Sequence, residues 1–252
     1  MSVNDKVVLI TGGALGVGRF CALQFAGEGA KVSLCDIDDE GLAEIDEKLT
    51  PITNGEHIAK HADIRDEESV KSFVAQTAEK FGRIDVLINN AAIVPHFMWG
   101  TEIWPPVQDM DFGFWKDVFD TNVHGSFLHM KYVVPHMLSQ GGGHIINLHS
   151  GKPTFKPGTT ALNNSRGCPY FASKTALYVM TRYFGEDLKE SNICIVSMSG
   201  AVIATDRAPE HVRAKMPGPE VLGRRFLLAA ECPMELSGRW VEEGRGGLVP
   251  ND

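Results

Sequence analysis

The sequence predicts an α/β fold in which a doubly wound parallel β-sheet is flanked by helices. Three observations support this fold class. Short apolar runs recur along the chain, helical stretches separate them, and a glycine-rich segment directly follows the first run. Nearly continuous Val, Ile and Leu runs are typical of strands buried on both faces. Strands that alternate with helices predict βαβ units.

The apolar runs give the predicted strands, at residues 6–10, 31–36, 84–89, 143–148 and 193–198. The helical stretches include residues 17–29, 66–82, 113–139 and 170–190. Residues 95–113 and 151–169 are rich in Pro, Gly and Thr or Trp, so we predict loops there. Both loops follow a strand, at the edge where open α/β sheets bind ligands. Since no repeat or linker interrupts the chain, we expect one domain over residues 1–252.

Composition narrows the classes of partner. The chain has 252 residues, of which 43% are hydrophobic and 22% charged, with a formal net charge of −8. That negative balance argues against a nucleic acid or an anionic membrane surface as the main partner. No apolar run reaches the ~20 residues of a membrane span, and the N-terminus lacks a signal-peptide pattern. Five scattered cysteines indicate free thiols, so we expect a cytoplasmic protein.

The segment "TGGALGVG", residues 11–18, follows the first predicted strand and precedes a helix. A tight turn there aims the free N–H groups of the helix N-terminus at a ligand, an arrangement suited to a pyrophosphate. We expect Gly12 to allow the turn, Gly16 to let the backbone approach the ligand, and Gly18 to let the helix pack on the strand. A plain strand-to-helix turn is the alternative interpretation.

The second predicted strand ends in Asp36, eighteen residues after Gly18. An acidic residue at this spacing can accept hydrogen bonds from the ribose hydroxyls of an adenosine, and it would repel a 2′-phosphate. The glycine segment has no basic residue before Arg19, and none follows Asp36 in "DIDDE". The sequence therefore favours NAD over NADP, and a solvated turn aspartate is the alternative for Asp36.

Tyr170 and Lys174 are four residues apart in "YFASK", so on a helix they share one face. Free tyrosine has a pKa near ~10 and is a poor base at neutral pH. A nearby ammonium group favours the phenolate, so we expect Lys174 to lower the pKa of Tyr170. Taken alone, this pair also occurs by chance on many helices.

Six motifs occur together in a fixed order: "TGGALGVG", "ADIRD" (62–66), "NNAA" (89–92), "DTN" (120–122), "INLHS" (146–150) and "YFASK" (170–174). With this set the sequence resembles the short-chain dehydrogenase/reductase family over nearly the whole chain. The resemblance implies a Rossmann-type sheet of about seven parallel strands. It also implies a homodimer or homotetramer, a small-molecule substrate and no metal.

The resemblance implies that four residues carry the catalysis. Tyr170 would exchange a proton with the substrate oxygen, and Ser150 would hydrogen-bond that oxygen. Lys174 would lower the pKa of Tyr170 and hold the nicotinamide ribose. Asn122 would hold a water molecule that relays protons to solvent. Hydride would pass between the cofactor and the substrate carbon, since in such enzymes the cofactor carries the hydride and the protein positions and polarises.

The resemblance also implies an NAD site, in which Asp63 would contact the adenine, Asn90 and Ala91 would border its ribose, and Ile203 and Thr205 would contact the nicotinamide amide. The full expected set is Gly12, Leu15, Gly16, Val17, Gly18, Asp36, Asp63, Ile64, Asn90, Ala91, Tyr170, Lys174, Ile203 and Thr205.

Some positions depart from the family pattern. His149 stands where a serine is common, and it is either a strand-end residue that faces away from the substrate or part of the substrate site. Gly200-Ala201 replaces the usual Pro-Gly in the stretch that holds the nicotinamide in this family, so we expect the nicotinamide to be held differently. The chain ends without the customary Asp-Gly-Gly, so we expect its last strand and oligomer contacts to differ.

The two loops supply candidate substrate residues, Trp99, Trp104, Lys152 and, beside them, His149. The tryptophans would form an apolar wall, since small-molecule sites are mostly apolar; packing of the loop or an oligomer contact is the alternative. We therefore predict an NAD-dependent dehydrogenase or reductase of secondary alcohols and ketones with an apolar cyclic or aromatic substrate. The alternatives are an NADP-linked carbonyl reductase, or a cofactor-binding protein that acts through association without turnover.

Overall fold

A computed structural model of the chain describes residues 3–94, 105–150, 167–200, 203–204, 210–214 and 216–251. The strands in these ranges are β1 (Val7–Thr11), β2 (Lys31–Asp36), β3 (Ile58–His61), β4 (Val86–Asn89), β5 (Gly143–His149), β6 (Ile193–Ser199), β7 (Val241–Gly244) and β8 (Gly247–Pro250). The α-helices are α1 (Gly16–Gly27), α2 (Asp39–Thr53), α3 (Glu67–Phe81), α4 (Phe112–Phe119), α5 (Gly125–Gln140), α6 (Cys168–Asp187), α7 (Glu210–Arg213) and α8 (Arg225–Ala229).

Six strands form one parallel sheet in the order β3-β2-β1-β4-β5-β6. The chain builds the sheet outward from β1 in one direction and then continues from β4 in the other. The crevice between the carboxyl ends of β1 and β4 is therefore the topological switch point, where doubly wound sheets bind ligands. The α/β prediction with a doubly wound parallel sheet is confirmed.

The predicted count of about seven sheet strands is one too many for the described residues. After α8 the chain runs along the edge strand β6, where Ser197 and Trp240 form a parallel bridge and the Gly238 N–H donates to the carbonyl oxygen of Ile195 at 2.7 Å. It then folds back on itself, so that β7 and β8 pair with each other as an antiparallel hairpin. The turn of this hairpin, at Arg245-Gly246, leads into Gly247 with a φ of 136°, a conformation that side chains other than glycine's rarely adopt.

Two hydrophobic cores cover the two faces of the sheet. Neighbouring residues of a strand point to opposite faces, so Ile10 packs with Phe25 of α1 while Leu9 packs with Phe73 of α3. The core on the α1 side also takes in α2 and α8, and the core on the α3 side takes in α5. Burial on both faces explains why the strands are nearly continuous apolar runs.

One predicted helix, residues 113–139, is interrupted. α4 ends at Phe119, a π-helical turn runs over Asp120–His124, and α5 begins at Gly125. A π turn accommodates an extra residue within a helix and is frequent at functional sites. Here it carries Asn122, one of the four predicted catalytic residues.

Candidate active site

The glycine loop joins β1 to α1. Gly12 has a φ of 64° and Gly16 a φ of 56°, both in the left-handed region that favours glycine. Leu15, the N-cap residue just before α1, makes no side-chain hydrogen bond to the helix. The first N–H groups of the helix therefore face the crevice without a capping side chain, as an anion-binding helix N-terminus requires.

Gly18 and Asn90 hold this loop in close contact with the sheet. A Cβ atom at Gly18 would collide with the carbonyl oxygen of Gly12. The Asn90 amide nitrogen donates to the carbonyl oxygens of Thr11 at 2.9 Å and Gly12 at 2.8 Å. The backbone N–H groups of Asn90 and Ala91 both donate to Thr11 Oγ1. Asn90 and Ala91 thus fasten the end of β4 to the glycine loop.

Asp36 ends β2 beside this loop and is 8% exposed. Its Oδ2 accepts from the N–H of Ala14 at 3.1 Å, and its Oδ1 accepts from the N–H of Ile37 at 2.8 Å. Arg19 lies close by, but its Nε donates to the carbonyl oxygen of Ala14 and its Nη2 pairs with Glu44 at 2.9 Å. The carboxylate of Asp36 is therefore held at the place where the loop meets β2.

The loop after β3 continues the same edge of the sheet. Asp63 is bound by Arg65, which is the main cause of a lowered pKa of the Asp63 carboxyl. Ile64 is buried, and Ile37, next to Asp36, is 54% exposed. The sequence analysis did not single out Ile37, which leaves an exposed apolar side chain directly after the acidic end of β2.

Together these residues fit a dinucleotide. A helix N-terminus without a side-chain cap, a glycine loop in close contact with the backbone, and an acidic strand end occupy one crevice, which matches what a pyrophosphate and a ribose require. Val17 lies in the first turn of α1 at this crevice, close to Gly200, where an added Cβ would lie 3.7 Å from Val17 Cγ2.

The second half of the site lies at the carboxyl end of β5 and the start of α6. Ser150, directly after β5, hydrogen-bonds the hydroxyl of Tyr170. Lys174 is 4% exposed; its Nζ lies 5.9 Å from the Tyr170 ring centroid and donates to the carbonyl oxygen of Leu148 at 2.8 Å. The structure thus brings Ser150, Tyr170 and Lys174 together from two elements.

The protonation of this group differs from the sequence prediction. Burial raises the pKa of Tyr170 above its ordinary value, and the hydrogen bond from Ser150 offsets only part of that rise. Burial also lowers the pKa of Lys174 to about 7. A lowered Tyr170 pKa is therefore not found for the protein's own groups, because the cost of burying a phenolate exceeds the effect of the Ser150 hydrogen bond.

Asn122 is fully buried in the π turn, and its side-chain amide is fully engaged. Its Oδ1 accepts from the N–H of Ile93 at 2.8 Å. Its Nδ2 donates to the carbonyl oxygen of Ile93 at 3.1 Å and to Ser173 Oγ at 3.0 Å, and Ser173 in turn donates to the carbonyl oxygen of Tyr170 at 2.7 Å. The Asn122 amide therefore fixes the π turn to Ile93 and to α6, and the relay water at Asn122 stays a prediction.

Ser173 is a second residue that the sequence analysis missed. It lies inside "YFASK", three residues after Tyr170, so the spacing that made Tyr170 and Lys174 candidates applied to it as well. Its hydroxyl connects Asn122 to the first turn of α6, so the two helices that carry catalytic candidates are joined through one buried side chain.

His149 is 4% exposed and packs against Trp240, with ring centroids 4.7 Å apart, and against Tyr178 at 6.0 Å. This packing favours a strand-end residue that faces away from the substrate. Ile203 is 3% exposed and belongs to the core on the α1 side. Four other predicted residues, Thr205, Trp99, Trp104 and Lys152, lie outside the described residues.

Fold and site together define a doubly wound α/β protein whose crevice suits a dinucleotide and whose β5 and α6 bring a serine, a tyrosine and a lysine together. Residues 6–215 match the short chain dehydrogenase family. The chain belongs to this family of oxidoreductases, which act on alcohols and ketones with a nicotinamide cofactor, NAD or NADP.

Three known proteins illustrate the relationship. The chain is 37% identical over 252 residues to zerumbone synthase of Zingiber zerumbet, covering 100% of this chain and 86% of the relative. It is 34% identical over 240 residues to cyclopentanol dehydrogenase of Comamonas sp. (strain NCIMB 9872), covering 93% and 88%. The solved structure of a 7α-hydroxysteroid dehydrogenase complexed with NADH and 7-oxo glycochenodeoxycholic acid has the same fold, with a TM-score of 0.78, 24% identity and coverage of 94% and 92%. Within the described part of this chain, none of the helices has the length and apolarity needed to cross a membrane.

Proposed function

We propose that this protein is an NAD-dependent oxidoreductase that interconverts secondary alcohols and ketones, with Tyr170 as the general acid and base. The observation that carries the proposal is the contact between the Tyr170 hydroxyl and Ser150, above a buried Lys174. Two hydroxyl groups at one point suit a substrate oxygen, which needs both a proton carrier and a second hydrogen-bond donor.

In ketone reduction, Tyr170 and Ser150 donate hydrogen bonds to the carbonyl oxygen. Negative charge develops on that oxygen in the transition state, and fixed donors stabilise it there without reorganisation. Tyr170 then transfers its proton to the oxygen. The cofactor, when bound, supplies the hydride to the carbonyl carbon or accepts it in the reverse direction. The raised pKa of Tyr170 keeps this proton available at neutral pH.

Further contacts hold Tyr170 and the first turn of α6 in place. Lys174 Nζ lies beside the Tyr170 ring, and the Asn122–Ser173 pair holds the first turn of α6 from the other side. A lysine with a pKa of about 7 can carry or release a proton near neutral pH, so Lys174 is suited to return a proton to Tyr170. We assign Asn122 the positioning of this group through Ser173, and a relay water held at Asn122 is part of the same proposal.

The preference for NAD rests on charge at the end of β2. In the proposed site the Asp36 carboxylate, held beside the glycine loop, would face the 2′ position of the adenosine ribose, so a 2′-phosphate would meet a like charge. Arg19, a cation bonded to the backbone of the same loop, is paired with Glu44. Arg19 is thus engaged by the protein itself, and this supports NAD over an NADP-linked reductase.

For the substrate we propose an apolar cyclic or aromatic secondary alcohol or ketone. The name of one relative, cyclopentanol dehydrogenase, is that of an enzyme for a cyclic alcohol. The predicted loops carry Trp99 and Trp104, whose indole rings would provide an apolar wall, and Lys152, which could meet an acidic group on the substrate.

The experiment is to incubate purified protein with NAD or NADP and a panel of cyclic and linear secondary alcohols, and to follow the reduced cofactor by absorbance. We expect turnover with NAD and at least one cyclic alcohol. Tight NAD binding without turnover across the panel would support the alternative of a cofactor-binding protein that acts through association. Turnover with NADP alone would support the alternative of an NADP-linked carbonyl reductase.

Asp36→Ala tests the cofactor preference. Loss of the carboxylate removes the ribose contact and the repulsion of a 2′-phosphate, so kcat/KM should fall for NAD and rise for NADP. A charge-assisted hydrogen bond contributes roughly 1.5–3 kcal/mol, so we expect about a tenfold change or more for NAD. Asp39→Ala, a nearby carboxylate on the exposed start of α2, is the matched control, and it should leave the ratio of the two cofactors unchanged.

A further inference from the structure

Arg65 holds the Asp63 carboxylate from one side. Its backbone N–H donates to Oδ1 at 2.9 Å, its Nε is shared between Oδ1 at 3.0 Å and Oδ2 at 3.1 Å, and its Nη2 donates to Oδ2 at 2.8 Å. A guanidinium fork on a carboxylate fixes geometry as well as charge. The aspartate side chain, which otherwise rotates freely in a loop, is thereby held in one orientation.

The far side of the guanidinium is held as well. Arg65 Nη1 pairs with Asp117 Oδ1 of α4 at 3.3 Å. The carboxylates of Asp63, Asp117 and Asp120 all raise the pKa of Arg65, so the guanidinium stays charged. Arg65 therefore connects the loop after β3 to α4 and offsets negative charge from three carboxylates at one edge of the crevice.

One acceptor position of Asp63 stays open to a ligand. A carboxylate offers about four lone-pair positions, and Arg65 fills three of them with three hydrogens, because the Nε hydrogen is shared. The Asp63 side chain is 33% exposed, and β3 lies next to β2, with its carboxyl end at the same edge as Asp36. A fixed acceptor at this place can distinguish a ring that carries an amino group from one that carries a carbonyl oxygen.

We propose that Arg65 is a positioning residue that sets base specificity, since it fixes the carboxylate of Asp63 so that its open acceptor position meets the 6-amino group of adenine. The inference rests on the proposed function, in which a dinucleotide occupies the crevice. A merely structural Arg65 would stabilise the loop without affecting which base binds. Arg65 and Asp63 are both about a third exposed, and exposed ion pairs contribute little to stability. A change in base preference on loss of Arg65 would therefore indicate positioning, whereas an unchanged base preference would indicate a structural role.

The experiment compares Arg65→Gln with the unchanged protein. Dissociation constants are measured by calorimetry for NAD and for its hypoxanthine analogue, which has a 6-oxo group in place of the 6-amino group. The unchanged protein should prefer NAD. In the variant, the ratio of the two dissociation constants should shift about tenfold against NAD. The reason is that the hydrogen bond from the adenine amino group to the fixed carboxylate is weakened for NAD, whereas the analogue makes no such bond. The change in the ratio should persist at high salt, where general charge repulsion is screened.

Arg83→Gln is the matched control. Arg83 holds Asp85 with the same fork two residues apart, Nε to Oδ1 at 3.0 Å and Oδ2 at 2.9 Å, at the start of β4 and thus at the opposite edge of the sheet. This variant should leave the NAD-to-analogue ratio unchanged. Asp117→Asn loosens only the far side of Arg65 and should shift the ratio in the same direction by a smaller factor, which keeps the test open if Arg65→Gln does not fold.

The outcomes separate the inference from the proposed function. An Arg65→Gln variant that keeps the full preference for NAD would overturn the role of Arg65. An unchanged protein that binds both dinucleotides equally and still turns over NAD would overturn the inference and leave the proposed function intact. An unchanged protein that binds neither dinucleotide would overturn both.

Discussion

Lys174 is a lysine that the fold buries, and its proton equilibrium links activity to stability. Burial lowers its pKa to about 7, whereas an unfolded lysine titrates near ~10.5. Below about pH 7 both states bind the proton, and the folded state bears the full cost of burying the charge. As pH rises from about 7 to about 10.5 the folded protein releases this proton first, so the cost shrinks and stability rises.

Lys174→Met should therefore stabilise the protein while it abolishes turnover. A pKa shift from ~10.5 to about 7 corresponds to a gain in the free energy of unfolding of at most roughly 3 to 5 kcal/mol at about pH 6. This gain should vanish near about pH 10. Urea unfolding at these two pH values measures it. Lys48→Met, at an exposed position of α2, serves as the control and should show no pH-dependent gain. A variant less stable than the unchanged protein at about pH 6 would contradict the buried charge.

At the residue scale, the sequence predicted which side chains meet and not how they are protonated. The order of the motifs was enough to identify Ser150, Tyr170 and Lys174. The pKa of Tyr170 depends on how much water the fold removes around it, and no pattern in the sequence reports that burial. In the same way, the spacing of Asp63 and Arg65 did not reveal that Asp117 of α4 forms an ion pair with Arg65.

At the element scale, α5 and α6 expose apolar residues that a monomer would leave in water. Phe127 and Leu138 on α5 are 42% and 48% exposed, and Val179 and Tyr183 on α6 are 46% and 75% exposed. The rings of Phe127 and Phe184 lie 6.5 Å apart, so the two helices meet. Adjacent exposed apolar side chains of this size are typical of protein interfaces. We propose that this pair of helices forms a homodimer or homotetramer contact.

The double variant Leu138→Glu and Tyr183→Glu tests the contact. Charges on both helices should lower the mass measured by light scattering to that of one chain, because an isologous interface places each substitution against the partner. Val107→Glu, at an apolar position that is 85% exposed outside the two helices, is the control and should keep the mass of the unchanged protein. A double variant that keeps its mass would exclude this face as the contact.

The π turn shows what element-scale prediction misses. The apolar spacing of residues 113–139 predicted one helix, and Asp120–His124 contains no residue that breaks a helix. The turn forms where Asn122 reaches across to both backbone groups of Ile93, a contact between segments 29 residues apart in sequence. Local periodicity carries no signal for such a tertiary contact.

At the scale of the whole molecule, burial explains which strands could be predicted. β1, β2, β4, β5 and β6 are central or doubly covered and appeared as apolar runs. β3 was missed because Ile58–His61 is an edge strand of mixed polarity, with half-buried and exposed residues. Near the C-terminus, where the sequence lacks Asp-Gly-Gly, β7 and β8 form a hairpin that the apolar runs did not predict.

The most direct test of the account is the turnover of Tyr170→Phe, measured with NAD and an alcohol that the unchanged protein oxidises. The phenyl ring keeps the packing on α6 and removes only the hydroxyl that meets Ser150. Since a positioned acid or base contributes roughly 10² to 10⁴ in rate, kcat should fall by that factor while NAD still binds. Tyr183→Phe, which removes an exposed hydroxyl from the same helix, should retain full activity. A Tyr170→Phe protein that turns over at the unchanged rate would contradict the assignment of Tyr170 as the acid and base.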